Sequence, residues 1–332
     1  MYRIVKYSED ERRILFRNTS QKMNIHEAII EKDFWVCLIL DYLFHKCEYS
    51  KVFTFKGGTS LSKCYGLIHR FSEDIDLILD WRTLGYTINE PWKKRSSTKQ
   101  DAFNKEVNHR AEDFLRDTLL PILKKDITEI MGEEAQLYID EIDPQTICFS
   151  YPHIFQTESI LQVIRLEIGA LAAWTPAKEV LIEPYAAKYY PKAFEQKETI
   201  VLTAAASRTF WEKITILHHE ANRPEILPMP ERYSRHYYDL YCIARSENKR
   251  QSFADIDLLR RVVQFKMKFY PRKWAQYNEA VLGTMKLVPP DYRLDALRKD
   301  YENMSEMIFG EYPSFEELMS YISELETEIN HL

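Results

Sequence analysis

The sequence predicts an α+β protein, with strands interleaved with helices up to about residue 203 and an almost wholly helical region from there to the end. Two observations carry that expectation. Short β-branched and aromatic runs recur between residues 51 and 203, and amphipathic helical periodicity takes over from residue 204. A third bounds the size: 332 residues that are 45% apolar and 29% charged suffice for one large domain or two smaller ones with a real core. We expect two domains, 1–203 and 204–332.

The elements follow in order. Residues 9–22 read as a short polar helix. Residues 25–47 read as a longer one whose Ile29, Ile30, Phe34, Ile39 and Leu43 give a broad apolar face. A short strand over 51–55 ends at Gly57-Gly58. Thr59 or Ser60 is the expected N-cap of a helix running to about 68. Residues 75–79 alternate as a strand. Residues 82–100, with Pro91 and the basic Lys93, Lys94, Arg95 and Lys99, read as a loop or insertion, and 101–131 as an amphipathic helix. Strands are expected at 136–142, 146–151, 162–168, 179–182 and 199–203. Helices follow at 205–220, 233–247, 252–269, 272–283, 291–308 and 314–330.

Composition excludes some classes. A net charge of −6 argues against bulk electrostatic binding to nucleic acid, though not against a local basic groove. Five cysteines, an odd number without CxxC spacing, read as reduced thiols. The charged start shows no signal-peptide pattern, and no run of about 18 apolar residues suggests a membrane span, so a cytoplasmic location is expected.

The chemistry concentrates in Lys56-Gly57-Gly58-Thr59-Ser60-Leu61 and Phe71-Ser72-Glu73-Asp74-Ile75-Asp76-Leu77. The chain has only 8 glycines, and two are adjacent here, where the backbone must turn or approach something closely. Backbone N–H groups of Gly57, Gly58, Thr59 and Ser60 entering a helix suit an anion, although a tight turn capped by Thr or Ser has the same sequence. No GxxxxGK[ST] occurs, which disfavours a P-loop NTPase. Asp74 and Asp76 share one face of a strand, opposite Ile75, Leu77 and Leu79. Aspartate is depleted in strands, so this pair calls for a partner, and a divalent cation would be one. Glu167, in Val163-Ile164-Arg165-Leu166-Glu167-Ile168, is the candidate third carboxylate, with Asp140 and Glu183 behind it. His218-His219-Glu220 lacks the spacing of a zinc helix and reads as structural.

Together these residues resemble the signature of the AbiEii/AbiGii toxin family of nucleotidyltransferases, in the DNA polymerase β-like superfamily. Lys56 to Leu61 followed by Arg70 to Leu77 carries the resemblance. Glu31-Lys32-Asp33-Phe34-Trp35-Val36, Glu212-Lys213 and Arg235-His236-Tyr237-Tyr238-Asp239-Leu240 extend it in the correct order over roughly residues 25–245.

The resemblance implies a polymerase β-like core on a mixed sheet followed by a C-terminal helical region. It implies two Mg²⁺ ions, with Mn²⁺ as an alternative, held by Asp74 and Asp76 and completed by Glu167, which also helps deprotonate the attacking hydroxyl. Gly57, Gly58, Thr59, Ser60 and Ser72 would hold the triphosphate of an NTP. Lys213 would neutralise its outer phosphates, Arg235 would pair with phosphate or with Asp239, and Lys32 and Asp33 would join the same polar cluster. The implied activity is transfer of an NMP to an acceptor hydroxyl in a type IV toxin–antitoxin or phage-defence setting, with tRNA or another RNA as acceptor and a cognate antitoxin as partner. Basic residues at 93–99 and 258–273 are the candidate RNA contacts. Two alternatives stay open: a small-molecule or protein acceptor, and a non-catalytic nucleotide-binding module.

Overall fold

The computed structural model describes residues 1–72, 74–157, 160–172 and 175–332. Glu73 of the signature lies outside the described residues. The chain divides into two compact units, Met1–Cys64 with Ser72–Ala204, and Tyr65–Phe71 with Ala205–Leu332.

The first unit is built on a seven-stranded mixed sheet. Its strands are β1 (Phe53–Lys56), β2 (Asp74–Leu79), β3 (Gln136–Ile139), β4 (Thr146–Ser150), β5 (Ile164–Gly169), β6 (Ala177–Ile182) and β7 (Thr199–Ala204), in the order β3-β4-β5-β2-β1-β7-β6. β2 pairs antiparallel with β1 and parallel with β5, so the signature strand lies in the interior of the sheet. The strands stand where alternation predicts them, within a few residues.

The helices of this unit are α1 (Tyr2–Val5), α2 (Glu9–Met23), α3 (Glu27–Asp41), α4 (Gly57–Lys63), α5 (Ser97–Phe114), α6 (Leu120–Met131) and α7 (Tyr185–Tyr189). Ser8 and Glu11 form a capping box at the start of α2, and Asn24 closes it in the left-handed region. α3 is more deeply placed than its periodicity suggests: Ala28 to Asp41 are all buried, the mark of a core helix. α5 begins at Ser97, capped by Ser96, inside the stretch expected to be loop.

α4 corrects the expected cap. The N-cap is Lys56, and the helix ends at Lys63 rather than near 68. Thr59 Oγ1 instead donates to the carbonyl of Asp74 at 2.5 Å, and Ser60 Oγ donates to the carbonyl of Gly57 at 2.9 Å. Thr59 therefore ties the glycine turn to the first residue of β2.

The second unit is helical: α8 (Ala206–Ala221), α9 (Ser234–Ala244), α10 (Glu247–Phe253), α11 (Ile256–Phe269), α12 (Asp291–Asn303) and α13 (Phe315–Asn330). The helix expected over 272–283 is instead two short 3-10 turns, Lys273–Ala275 and Tyr277–Glu279. Gln276 between them has a φ of 49°, which no α-helix accommodates. Residues 69–71 join this unit through a short antiparallel bridge: Phe309 N–H donates to His69 O and Phe71 N–H to Met307 O. Among the described residues no helix is long and apolar enough to cross a membrane.

Candidate active site

The sheet register assembles the carboxylates. Asp76 stands beside Lys56 of β1 on one side and Glu167 of β5 on the other, and Glu167 in turn stands beside Thr146 of β4. Two residues back, Asp74 stands beside Arg165, and Arg165 beside Cys148. Cross-strand partners project to the same face. Asp74, Asp76, Arg165 and Glu167 therefore form a two-by-two patch, while Ile75, Leu77 and Leu79 are fully buried on the other face. The strand is anchored by its apolar side and presents its acids on the other.

Gly57 explains the scarce glycine. Its φ is +81°, and a Cβ built there would lie 1.8 Å from Asp76 Oδ2. Only glycine lets the turn close over that carboxylate.

Electrostatics single out Glu167. Burial, then the charges of Asp76 and Asp74, push its pKa up to about 7. Arg165 opposes them, with its Nε 3.6 Å from Glu167 Oε1 and 3.8 Å from Asp74 Oδ1. The same guanidinium donates through Nη1 to Asp140 Oδ2 at 2.5 Å. Asp140 is held down to about 2 by the backbone N–H of Asp143, by Arg165 and by the N–H of Ile142. Asp140 is thus already partnered, which weakens its standing as a third carboxylate. The carbonyl of Glu183, the other reserve, accepts from Lys63.

Asp74, Asp76 and Glu167 offer carboxylate oxygens, the hard ligands that Mg²⁺ and Mn²⁺ take. Among the described residues, no three His, Cys, Asp or Glu side chains converge as a preformed metal site. The donor set fits a divalent cation chemically: burial and then the like charges of Asp76 and Asp74 raise Glu167, and an added cation would relieve the repulsion.

The glycine turn is braced from beneath. Lys63, at the end of α4, donates to Asp33 Oδ1 at 2.6 Å and to the carbonyl of Glu183 at 2.8 Å. Asp33 Oδ2 accepts from the N–H of Tyr185 at 2.7 Å, and the Lys63 ammonium sits 4.0 Å from the Tyr185 ring centroid. Lys32 and Asp33 are both buried on α3, each with its own partner: Lys32 Nζ donates to the carbonyl of Leu161 at 2.9 Å. Glu31, next to them, accepts from the N–H groups of Ile154 and Phe155, and burial raises it to about 7. Ser72 contributes its carbonyl, 3.4 Å from Thr59 Oγ1.

Lys213, Arg235 and Asp239 belong to the second unit. Asp239 is fully buried and receives Arg70 through two bonds, Nε to Oδ1 at 2.6 Å and Nη2 to Oδ2 at 2.9 Å. Lys213 donates to Asp239 Oδ2 at 2.7 Å and to His236 Nδ1 at 3.0 Å. Asp239 therefore pairs with Arg70 and Lys213 rather than with Arg235 four residues earlier. Burial would raise this carboxyl, but the two cations overcome it and hold it well below the usual range. His218 and His219 are structural, as their spacing suggests. His218 Nδ1 accepts from the N–H of Lys286, and the His219 ring stacks on Trp274 at 4.4 Å.

Three residues with strong contacts carried no role in the sequence reading: Lys63, Arg70 and Arg165. Arg70 stands inside the signature itself, next to Phe71. Arg165 lies two positions before Glu167 on one strand face, a spacing readable as a counter-charge. Lys63 had no signal, because its partner Asp33 lies 30 positions away.

The family model described as "Nucleotidyl transferase AbiEii toxin, Type IV TA system" matches residues 39–321. No curated protein matches the chain. Among solved structures it is similar to MenT4, a nucleotidyltransferase toxin from Mycobacterium tuberculosis H37Rv, at 14% identity and a TM-score of 0.46, over 95% of this chain and 97% of that one. The chain belongs to the AbiEii family of nucleotidyltransferase toxins.

Proposed function

We propose that this AbiEii-family nucleotidyltransferase moves a nucleoside monophosphate from an NTP to an acceptor hydroxyl on RNA, with Asp74, Asp76 and Glu167 as the carboxylates that hold divalent metal. The observation that carries this reading is the register of β2 and β5, which sets Glu167 beside Asp76 on the face that Asp74 shares. A divalent cation bound there supplies charge neutralisation for the phosphates and a lowered pKa for the attacking hydroxyl.

The chain's own groups do the rest. Glu167, the carboxylate set beside Asp76, takes the proton of the acceptor hydroxyl. The acceptor oxygen bonds to the α-phosphorus as the bond to the pyrophosphate oxygen breaks. The turn at Gly57, Gly58, Thr59 and Ser60, with Ser72, receives the outer phosphates. Lys213 and Arg235 supply positive charge to the triphosphate, and Lys32 and Asp239 complete the polar set. Asp239 contributes by fixing the Lys213 ammonium at 2.7 Å. A cognate antitoxin is the partner that family membership implies.

One observation favours a small-molecule or protein acceptor instead. Part of the basic character expected to meet RNA is locally paired: Arg260 with Asp257, Arg261 with Asp255 and Lys93 with Glu90. The deciding experiment incubates the chain with Mg²⁺, each labelled NTP and total RNA, beside the Asp74→Ala/Asp76→Ala variant. Label entering RNA only with intact carboxylates is the expected result. No transfer to RNA from any NTP rejects the RNA acceptor, and no NTP binding rejects the enzymatic reading of the site.

A further inference from the structure

We propose that Arg165 is a tethered counter-cation that competes with divalent metal for Asp74 and Glu167, and that Asp140 is the tether that limits the competition. The inference rests on the metal-holding role given above to the three carboxylates.

The guanidinium lies among three acids and treats them unequally. It makes a hydrogen bond to Asp140 at 2.5 Å but stands 3.6 Å from Glu167 and 3.8 Å from Asp74. The last two are ion-pair distances too long for hydrogen bonds. Asp140 is itself fixed. Its Oδ1 accepts the backbone N–H groups of Ile142 and Asp143, both at 2.9 Å, and its Oδ2 accepts Arg165 and, at 3.7 Å, the Cys148 thiol. Arg165 is held on β5 between Cys148 of β4 and Asp74 of β2, so its fork has little freedom to leave the patch.

A guanidinium and a divalent cation seek the same carboxylate oxygens and repel one another. With Asp140 in place, Arg165 is drawn toward the turn after β3, and the oxygens of Asp74 and Glu167 stay short of hydrogen bonding to it. Without the charge on Asp140, nothing opposes collapse of the fork onto the two metal-holding acids. The pair thus sets the site's affinity for metal in the absence of nucleotide.

The two members of the pair therefore act in opposite directions, which no merely structural role would produce. The measurement is Mn²⁺ binding to the nucleotide-free chain, followed by the electron paramagnetic resonance of free Mn²⁺, with Asp76→Asn as the site control. Arg165→Gln is expected to tighten Mn²⁺ binding about tenfold, and Asp140→Asn to weaken it about tenfold, in the range seen for groups behind metal ligands. Asn keeps the oxygen that caps Ile142 and Asp143. The double variant should behave like Arg165→Gln, because the tether then holds nothing. Circular dichroism checks folding; Arg165→Met and Asp140→Ser replace either variant that fails to fold. Changes in the same direction, or none beyond twofold while Asp76→Asn abolishes binding, overturn this inference alone. Absence of Mn²⁺ binding by the unmodified chain overturns the metal reading and this inference with it.

Discussion

Arg70 and Asp239, 169 positions apart, form a fully buried bidentate ion pair, and Lys213 adds a second cation to the same carboxylate. Removing one partner of a buried pair strands the other. Asp239→Asn leaves two buried cations uncompensated and should cost about 3–5 kcal/mol in urea unfolding. Arg70→Met leaves Lys213 still paired with Asp239 and should cost less. Equal losses would show that Lys213 contributes nothing to the balance.

Gly57→Ala should impair both stability and catalysis. The left-handed backbone alone costs about 1–2 kcal/mol for a residue with a Cβ. The new methyl also displaces Asp76, the carboxylate it would meet at 1.8 Å. A misplacement of about 1 Å can cost roughly 100-fold in rate, so nucleotide transfer should fall by that order while thermal unfolding shows a folded protein.

The brace beneath the turn separates charge from packing. Lys63 and Asp33 have side chains only 6% and 4% exposed. Asp33→Asn should destabilise by about 3–5 kcal/mol, because a buried ammonium loses its counter-charge. The double replacement Asp33→Leu with Lys63→Met should recover most of that loss, since apolar pairs of similar volume often substitute without cost. Denaturant midpoints of the three chains test this.

Glu167 makes a pH prediction with a definite sign. Its carboxyl rises from 4.5 to about 7 on folding. The folded chain therefore binds more protons than the unfolded one across that window, and stability falls as pH rises through it. Its side chain is 40% exposed, so solvent screening keeps the effect below about 1 kcal/mol. Calorimetry reads it more sharply: metal binding near pH 7 should release about half a proton, as a ligand must ionise. Glu167→Gln should abolish that release, and its persistence would assign the proton to another group.

Much of the fold was legible in the sequence. Alternating apolar runs marked all seven strands, and 3.6-residue periodicity marked the long helices. Both follow from chain geometry and a buried face, which any local window records. The misreadings came where local chemistry had two uses. Thr59 and Ser60 look like caps, yet their hydroxyls donate to carbonyls. Residues 272–283 have helical composition but break at Gln276, whose left-handed backbone no local pattern signals.

For the site, the sequence by itself determined the ingredients: a glycine turn, two aspartates on one strand face and an ordered set of family motifs. Only the tertiary structure decided who stands beside whom. The parallel pairing of β2 with β5 brings Glu167 to Asp76 from 91 positions away and delivers Arg165 with it. The packing of the helices also gave Asp239 to Arg70 and Lys213 rather than to Arg235, and gave Asp33 to Lys63. Charges act through space over a few ångströms, and a sequence records only separation along the chain.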